Sequence, residues 1–158
     1  DLYATLADIL GQRNAIPARA GEDSFSFLTT LRGETNRKAR RPFTIHHSIN
    51  GSFAIRRGPW KLALCPGSGG WSGPRPAAAF KNKTLPLVQL YNLETDPVEK
   101  TNLRDKHPDI VKELAAQLAT AIRNGRTNPG PSQSNEGWPV TFHKSVTDQF
   151  PALAAPSK

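Results

Sequence analysis

The sequence has little of several residue types, and each shortage excludes a class of structure. It contains one cysteine, Cys65, and no methionine among its 158 residues. A single cysteine excludes an internal disulfide bond and a zinc site built from cysteines. No apolar run approaches the roughly 20 residues that a membrane-spanning helix requires, so we expect no transmembrane helix. Because the chain begins at Asp1 and has no initiator methionine, we expect a fragment or a processed piece.

Positive charge and turn-forming residues are abundant instead. Lys and Arg total 21 against 13 Asp and Glu, which gives a formal net charge of +8 at pH 7. This balance permits an anionic partner, such as nucleic acid, a sulfated glycan or an anionic surface, without choosing among them. The 37% of hydrophobic residues suffices for a modest core, while 14 prolines and 12 glycines predict many turns.

The middle of the chain predicts a β-meander. Four short runs have β character: 43–48, 52–57, 60–65 and 87–93. The turn dipeptides Asn50-Gly51 and Gly58-Pro59 separate the first three runs. Alternation of apolar residues indicates a sheet with one covered face, and the Gly- and Pro-rich stretch 66–76 predicts an irregular loop. We therefore predict an α+β fold with a small antiparallel sheet of about four strands.

Helical periodicity marks the two ends of this region. Residues 1–11 have apolar residues at helical spacing, and residues 108–123 begin with Pro108 and repeat apolar residues every four positions. We expect the second helix to pack on the sheet. An apolar stripe on a helix at the start of the chain predicts exposed apolar surface or self-association. Residues 25–33 are a candidate short helix, and the Pro- and Ser-rich remainder is expected to wrap the surface or to lack order in part.

Adjacent His46 and His47 are the first candidates for a functional site. Neighbouring residues of a strand point to opposite faces, so only one of them can face a given site. That histidine could bind an anionic group or a substrate hydroxyl, and the structural alternative is a half-buried histidine with a satisfied hydrogen bond. A two-histidine metal site is disfavoured, because no Asp, Glu or Cys lies at ligand spacing.

Three cationic residues surround the Gly58-Pro59 turn. Arg56, Arg57 and Lys61 could contact a sulfate or phosphate, for which arginine offers a planar fork of donors. The alternative is that they line the solvent face of a hairpin. If Ile55 faces inward, Arg56 points outward, and if Trp60 faces inward, so does Lys61.

Other candidates carry less chemistry. Trp71, in the glycine-rich loop, could form the wall of a binding cleft, although a plain structural loop fits as well. The loop lacks the Gly-Lys-Ser/Thr ending of a phosphate-binding loop. Cys65 has no base nearby in sequence, which favours inert packing. The basic cluster of Arg32, Arg37, Lys38, Arg40 and Arg41 is interpreted as a solvated surface segment, because no aromatic residues alternate with it.

Two blocks of the sequence contain a set of motif positions. In SFAIRRGPWKLALCPGSGGW they are Ala54-Ile55-Arg56, Gly58 and Trp60-Lys61-Leu62. In LVQLYNLETDPVEKTNLRDKHPDIVKEL they are Leu90-Tyr91-Asn92-Leu93, Asp96-Pro97, Glu99, Asn102-Leu103 and Pro108. The opening segment adds Thr5, Leu6, Gly11, Gly21 and Gly33. Together these positions resemble the C-terminal part of type I sulfatases, the arylsulfatase family, over roughly residues 1–125.

The resemblance implies sulfate-ester hydrolysis by a larger enzyme. Family members carry a C/S-x-P-x-R motif, whose first residue becomes formylglycine, and a calcium ion held by Asp and Asn side chains. That motif is absent here, and Cys65 has no arginine at the required spacing. We therefore expect no cofactor in this chain and no activity from it alone, with calcium and formylglycine in a missing N-terminal catalytic domain.

The resemblance also implies an organisation. Residues 1–33 are expected to be the end of the N-terminal sulfatase domain or a connecting segment, with a helix left over from that larger α/β domain. Residues 34–125 would be the C-terminal subdomain of sheet and closing helix, and residues 126–158 a tail. We expect no catalytic residue in this chain. The expected substrate contacts are His46, His47, Arg57, Lys61 and Trp71.

The expected partners follow from the same resemblance. They are a sulfated small molecule or glycan, bound through the full enzyme, and the missing catalytic domain; no membrane partner is expected and nucleic acid is disfavoured. Family habit favours export to the periplasm or secretion. The rival hypothesis is a stand-alone module that binds anionic glycans, or a polyanion-binding protein, in either case without catalysis.

Overall fold

The computed structural model describes residues 1–34, 41–135 and 141–154. Contacts divide the chain into two compact units. The N-terminal unit combines Asp1–Pro42 with Ala121–Glu136, and the sheet unit combines Phe43–Thr120 with Gly137–Lys158, each over its described residues. No helix within the described ranges is long and apolar enough to cross a membrane.

The helices and strands are short, apart from one helix. The helices are α1 (Leu2–Ile9), α2 (Leu28–Leu31), α3 (Pro76–Lys81), α4 (Pro108–Asn124) and α5 (Lys144–Gln149), with 3₁₀ turns at Arg13–Ala15 and Pro151–Leu153. The strands are β1 (Thr44–His47), β2 (Phe53–Arg57), β3 (Trp60–Ala63) and β4 (Gln89–Asn92).

A buried arginine holds the loops of the N-terminal unit together. Arg126 is only 7% exposed. Its guanidinium donates to the carbonyl oxygens of Ala18 and Pro131, at 3.0 and 2.9 Å, and to Oδ1 of Asn128 at 2.6 Å. Gly130 permits this approach, because a Cβ atom there would lie 2.3 Å from the guanidinium. Hydrogen bonds to neutral oxygens therefore offset the cost of burying this charge.

Helix α1 leaves most of its apolar side chains exposed. Ala4 and Thr5 are buried, whereas four large apolar residues in and just after the helix are exposed: Leu2, Leu6, Ile9 and Leu10. The exposed apolar surface expected from the sequence is present, and self-association through it stays a prediction. Within the predicted basic cluster, Arg37, Lys38 and Arg40 lie outside the described residues, while Arg41 forms an ion pair with Asp1.

The sheet unit contains the predicted meander. Each strand pairs antiparallel with the next, in the order β1-β2-β3-β4. Gly58 begins the two-residue turn between β2 and β3 with φ 55°, a left-handed conformation that glycine adopts without a steric penalty and that suits the twist of a hairpin. The α+β class and the four-stranded antiparallel sheet are confirmed.

One face of the sheet is apolar and covered by α4. Ile55, Leu62 and Leu90 are register partners on neighbouring strands, and all three are fully buried. Arg57 lies on the same face, two residues from Ile55, and forms an ion pair with Glu113 of α4. The helix brings its own buried residues to the core: Val111, Leu114, Ala115, Leu118 and Ala119. The predicted packing of a C-terminal helix on the sheet is therefore observed.

The boundaries of α4 follow from its sequence. Pro108 takes the first position, where its missing amide hydrogen leaves no hydrogen bond unmade. Asp109 lies in the first turn and Arg123 in the last, and each charge opposes the partial charge of its end of the helix dipole. The prediction of 108–123 falls one residue short of the observed end.

Side-chain and backbone bonds close the outer edge of β4. Asn102 accepts the amide hydrogens of Leu90 and Arg104 at Oδ1, each at 3.0 Å, and its Nδ2 donates to the carbonyl of Val88 at 3.3 Å. The amide of Leu103 adds a bond to the Leu90 carbonyl at 2.8 Å. This segment thus satisfies backbone groups that would otherwise form an open edge strand.

The last described stretch of the chain is more regular than its composition suggests. The sequence predicts a segment that wraps the surface or lacks order in part, whereas residues 144–153 form α5 and a 3₁₀ turn. Val146, Phe150 and Leu153 of this stretch are buried. Three apolar residues in an otherwise polar segment were too few to show a helical period.

Candidate functional site

The second face of the sheet is open and polar. Strand register places Thr44, Arg56, Lys61 and Tyr91 in one row across the four strands. The next row on this face contains His46, Ala54, Ala63 and Gln89. Because side chains alternate along each strand, these two rows point away from the face that α4 covers. We call this surface the open face.

A cavity of about 430 Å³ lies on the open face. Its depth follows from the second row, where the small side chains of Ala54 and Ala63 separate the longer ones of His46 and Gln89. Every residue of the two rows except Thr44 lines the cavity, together with residues at and beyond the strand ends: His47, Ser48, Ser52, Phe53, Cys65, Gly67, Ser68, Leu93 and Glu99. Hydroxyl, imidazole, ammonium, guanidinium and carboxylate groups thus converge on one hollow.

An ion pair fixes one side of the cavity. Lys61 Nζ lies 2.5 Å from Oε1 of Glu99. Glu99 has a φ of 58°, which is uncommon for a residue other than glycine. The turn that begins at Asp96 holds this conformation, because Oδ2 of Asp96 accepts the amide hydrogen of Thr101 at 2.7 Å. Backbone donors of this turn lower the pKa of Asp96, so the carboxylate of Asp96 stays charged at neutral pH.

Arg56 and His46 are the accessible donors of the open face. Both side chains are exposed. The Nε of Arg56 donates to the Gly58 carbonyl at 3.1 Å, which orients the guanidinium. An oriented guanidinium with accessible donors suits the oxygen atoms of a planar anion, such as a carboxylate, or of a tetrahedral one, such as a sulfate.

Gln89 and Tyr91 form a fixed polar wall. Nε2 of Gln89 donates to the carbonyls of Cys65 and Gly67, both at 2.8 Å, and its Oε1 accepts the hydroxyl of Tyr91 at 2.6 Å. Burial raises the pKa of Tyr91, helped by the negative charges of Glu99 and Asp96, so the phenol stays protonated. Burial is also the main cause of the raised pKa of Cys65, whose thiol is therefore not activated as a nucleophile.

The structure divides the five predicted contact residues among three places. His46 and Lys61 lie on the open face. His47 lies on the opposite side of β1, with its ring 5.9 Å from that of Phe53, and still borders the cavity at its edge. Arg57 lies on the covered face, where its Nη1 is 2.7 Å from Oε1 of Glu113. This contact raises the pKa of Arg57 and lowers that of Glu113.

The fifth predicted residue, Trp71, lies in a separate hollow. That hollow has a volume of about 710 Å³ and is lined by Asn50, Gly70, Trp71, Arg75, Pro76 and Ala77. The open face also contains Arg56, which was a sequence candidate for an anion contact but not one of the five expected contacts, and three residues that were not candidates: Gln89, Tyr91 and Glu99. Alternation along the strands already assigned Arg56 to the face of Lys61, whereas Gln89 and Tyr91 reach this face through the register between β3 and β4.

Comparison with known proteins finds relatives of the chain among one group of enzymes. No family model matches the chain. The chain is 33% identical over 124 residues to an N-acetylgalactosamine-6-O-sulfatase of Bacteroides thetaiotaomicron, covering 75% of this chain and 22% of that protein. It is also 25% identical over 163 residues to arylsulfatase K of Rattus norvegicus and 24% identical over 166 residues to that of Homo sapiens, covering 95% and 98% of this chain.

The chain is homologous to the sulfatases. The resemblance found in the sequence motifs is confirmed, and the matches are consistent with a C-terminal subdomain. This sulfatase homologue spans about a quarter of the length of the curated relatives that it matches. It is thereby related to sulfate-ester hydrolases.

Solved structures agree with the sequence comparison. A Bacteroides thetaiotaomicron structure described with the metabolism of multiple glycosaminoglycans is 29% identical and has a TM-score of 0.58, covering 77% of this chain and 24% of that one. A second structure from the same organism is 22% identical, with a TM-score of 0.51, and shows the fold alone. The architecture of this sulfatase homologue is thus found within larger chains.

Homology to sulfatases implies that the family uses calcium and formylglycine. Calcium takes about six to eight oxygen ligands. Nowhere in the described ranges do three or more His, Cys, Asp or Glu side chains converge in a way that could hold a metal ion. On the open face Glu99 already pairs with Lys61. The open face therefore does not fit a calcium site, and no step through the metal is derived for it.

Proposed function

We propose that this chain supplies part of the substrate-binding wall of an arylsulfatase-type sulfate-ester hydrolase. The observation that carries the proposal is the open-face cavity, which lies over Ala54 and Ala63 and is flanked by His46, Arg56 and Lys61. The chain adds contacts to a substrate and does not perform the hydrolysis alone. Homology to sulfatases supports the reaction class.

The donors of the cavity match a sulfated sugar. Arg56 offers terminal N–H donors to sulfate oxygens, and the charge of Lys61 is balanced by Glu99, which leaves Arg56 as the main cationic group. His46 and the protonated Tyr91 can bind sugar hydroxyls or ring substituents. The relatives named above include an enzyme for N-acetylgalactosamine 6-sulfate, so we propose a sulfated carbohydrate as the substrate class.

Binding and orientation are the tasks that these residues can perform. The sequence contains no C/S-x-P-x-R motif, and Cys65 is followed directly by Pro66 with no arginine at the required spacing. The attack on sulfur is therefore assigned to residues outside this chain. A site that holds the sulfate ester in one orientation lowers the entropic part of the barrier for a group supplied from elsewhere.

A pair of neighbouring arginines provides the decisive binding test. N-acetylgalactosamine 6-sulfate is titrated into the purified chain and followed by NMR chemical shifts of the sheet amides. Arg56→Ala is expected to weaken binding about tenfold, because a charge-assisted bond to sulfate is lost. Arg57→Ala is the matched control, since Arg57 lies on the covered face. Equal affinities of wild type and Arg56→Ala would refute the assignment of the open face, and loss only in Arg57→Ala would favour the original sequence prediction.

Two further measurements separate this function from its rivals. With calcium added, the purified chain is expected not to hydrolyse a chromogenic sulfate ester, and hydrolysis abolished by Cys65→Ser would show that the active site has been misplaced. A simple polyanion-binding protein would bind heparin with a steep salt dependence and no preference among sugars. The proposed sulfatase wall instead requires weaker binding of unsulfated N-acetylgalactosamine than of its 6-sulfate.

A further inference from the structure

Trp71 is a large apolar side chain that the fold leaves in solvent. It is 78% exposed, although burial of an indole ring is among the larger stabilising contributions available to a side chain. The backbone around it is nevertheless held in place. Ser68 Oγ donates to the Ser72 carbonyl at 2.8 Å and accepts the amide hydrogen of Gly70 at 3.2 Å. The indole is therefore displayed by a bonded loop.

The surroundings of the indole combine an apolar plane with polar groups. Arg75 places a positive charge in the same hollow, and Pro76 and Ala77 add apolar surface. Asn50 anchors the loop by donating from Nδ2 to the Gly70 carbonyl at 3.3 Å. A flat apolar ring beside a cation and an amide suits a pyranose ring, which has an apolar C–H face and polar substituents around its rim.

The same two loops border this hollow and the open-face cavity. In the first loop, Ser48 and Ser52 line the cavity and Asn50 lines the hollow. In the second, Ser68 lines the cavity and Trp71 lines the hollow. The cavity and the hollow therefore share these two loops as a common border.

We propose that Trp71 and Arg75 form a subsite for a second sugar ring of a glycan whose sulfated ring occupies the open-face cavity. The inference rests on the proposed function and extends it, because it makes an oligosaccharide, rather than a small sulfate ester, the preferred ligand. The indole stacks on the apolar face of the ring, and Arg75 binds an anionic substituent of that ring.

The test uses the indole signal of Trp71 in the complete chain. The Nε1–H resonance is assigned by its absence in Trp71→Phe, and it is followed during titration with di- and hexasaccharides of chondroitin 6-sulfate. The hexasaccharide is expected to shift this resonance. Trp71→Ala is expected to weaken hexasaccharide binding about tenfold and to leave the affinity for N-acetylgalactosamine 6-sulfate unchanged. Val98→Ala, which truncates another exposed apolar residue, is the matched control and is expected to change neither affinity.

The outcomes separate the subsite from the function that it extends. Equal hexasaccharide affinities of wild type and Trp71→Ala overturn the subsite, and so does an indole resonance that does not move at saturation or the absence of hexasaccharide binding. The proposed function is judged independently by the effect of Arg56→Ala on the monosaccharide. If Arg56→Ala has no effect while Trp71→Ala still weakens hexasaccharide binding, Trp71 binds a sugar ring but the sulfated ring does not occupy the open-face cavity, which overturns the proposed function and the two-site arrangement that rests on it.

Discussion

Replacement of Asn102 by alanine tests how the sheet unit closes its edge. The amide side chain accepts two backbone hydrogens and donates one bond to a backbone carbonyl, all within the segment beside β4. Leu90, whose amide it pairs, is fully buried. In Asn102→Ala that amide loses a partner at a position where a water molecule has little access.

The magnitude follows from the bonds that are lost. A buried amide left without a partner costs about 1–3 kcal/mol, and the bonds of Asn102 to the Arg104 amide and the Val88 carbonyl are partly buried as well. We therefore expect Asn102→Ala to lower the free energy of unfolding by about 2 kcal/mol. For a chain of this size, each kcal/mol corresponds to about 2–4 °C in Tm, so the melting temperature falls by about 4–8 °C.

The assay compares urea unfolding with amide exchange. The urea midpoint of Asn102→Ala should fall with an unchanged slope, since the surface exposed on unfolding is the same. Exchange of the Leu90 amide should accelerate more than that of Leu62, which pairs within the sheet. Asn102→Asp keeps the oxygen acceptor, but it puts a charged oxygen in place of the donor and against the Val88 carbonyl, so it should recover less than half of the stability that alanine loses. Wild-type stability of Asn102→Ala, or an aspartate variant less stable than the alanine one, would refute the reasoning.

Four more predictions concern stability and reactivity. Arg126→Ala should destabilise the N-terminal unit by about 3 kcal/mol, because it leaves loop carbonyls unpaired, and urea unfolding measures the loss. Wild-type stability of this variant would contradict the role of Arg126 in holding the loops together. Leu118→Ala, at a fully buried position, should cost about 2–5 kcal/mol in the same assay, and a loss below that range would mean that α4 repacks freely. Cys65 should react with a thiol reagent at pH 8 far more slowly in the folded chain than in urea, since it is buried with a raised pKa; equal rates would contradict its burial. Because the pKa of Asp96 is lowered in the folded chain, its charged carboxylate stabilises the fold above the ordinary pKa of aspartate, and this stabilisation is lost as the pH falls below about 4. The free energy of unfolding of Asp96→Asn should therefore depend less steeply on pH in this range. An unchanged acid slope would refute this.

Local patterns were sufficient for the sheet and for the long helix. The alternation of Phe53 and Ile55, and of Trp60, Leu62 and Leu64, fixes both the strand period and the covered face. Helix α4 carries its apolar stripe over 17 residues with suitable charges at both ends. Helices α3 and α5 have six residues each, which is too short for a period to be distinguished from chance.

The candidate site depended on information that strand period alone does not contain. Alternation assigned Arg56 and Lys61 to one face, but the row that joins Lys61 to Tyr91 required the register between β3 and β4, which 25 intervening residues separate in the chain. Glu99 was selected only as a motif position, and its carboxylate meets Lys61 because of a left-handed backbone that its residue type does not predict. Arg57 was selected for its proximity to the turn, whereas the helix that binds it lies about 50 residues further along the chain.

The two faces of the sheet have different tolerance to change. On the covered face, Ile55, Leu62 and Leu90 are packed so closely that nearly any substitution would lower stability. On the open face, the side chains of His46 and Arg56 are exposed and contribute little to the core, so their replacement is nearly neutral for folding. Natural variation can therefore accumulate on one side of four strands while the other side stays fixed. The side chains of this surface can therefore change without loss of the fold that presents them.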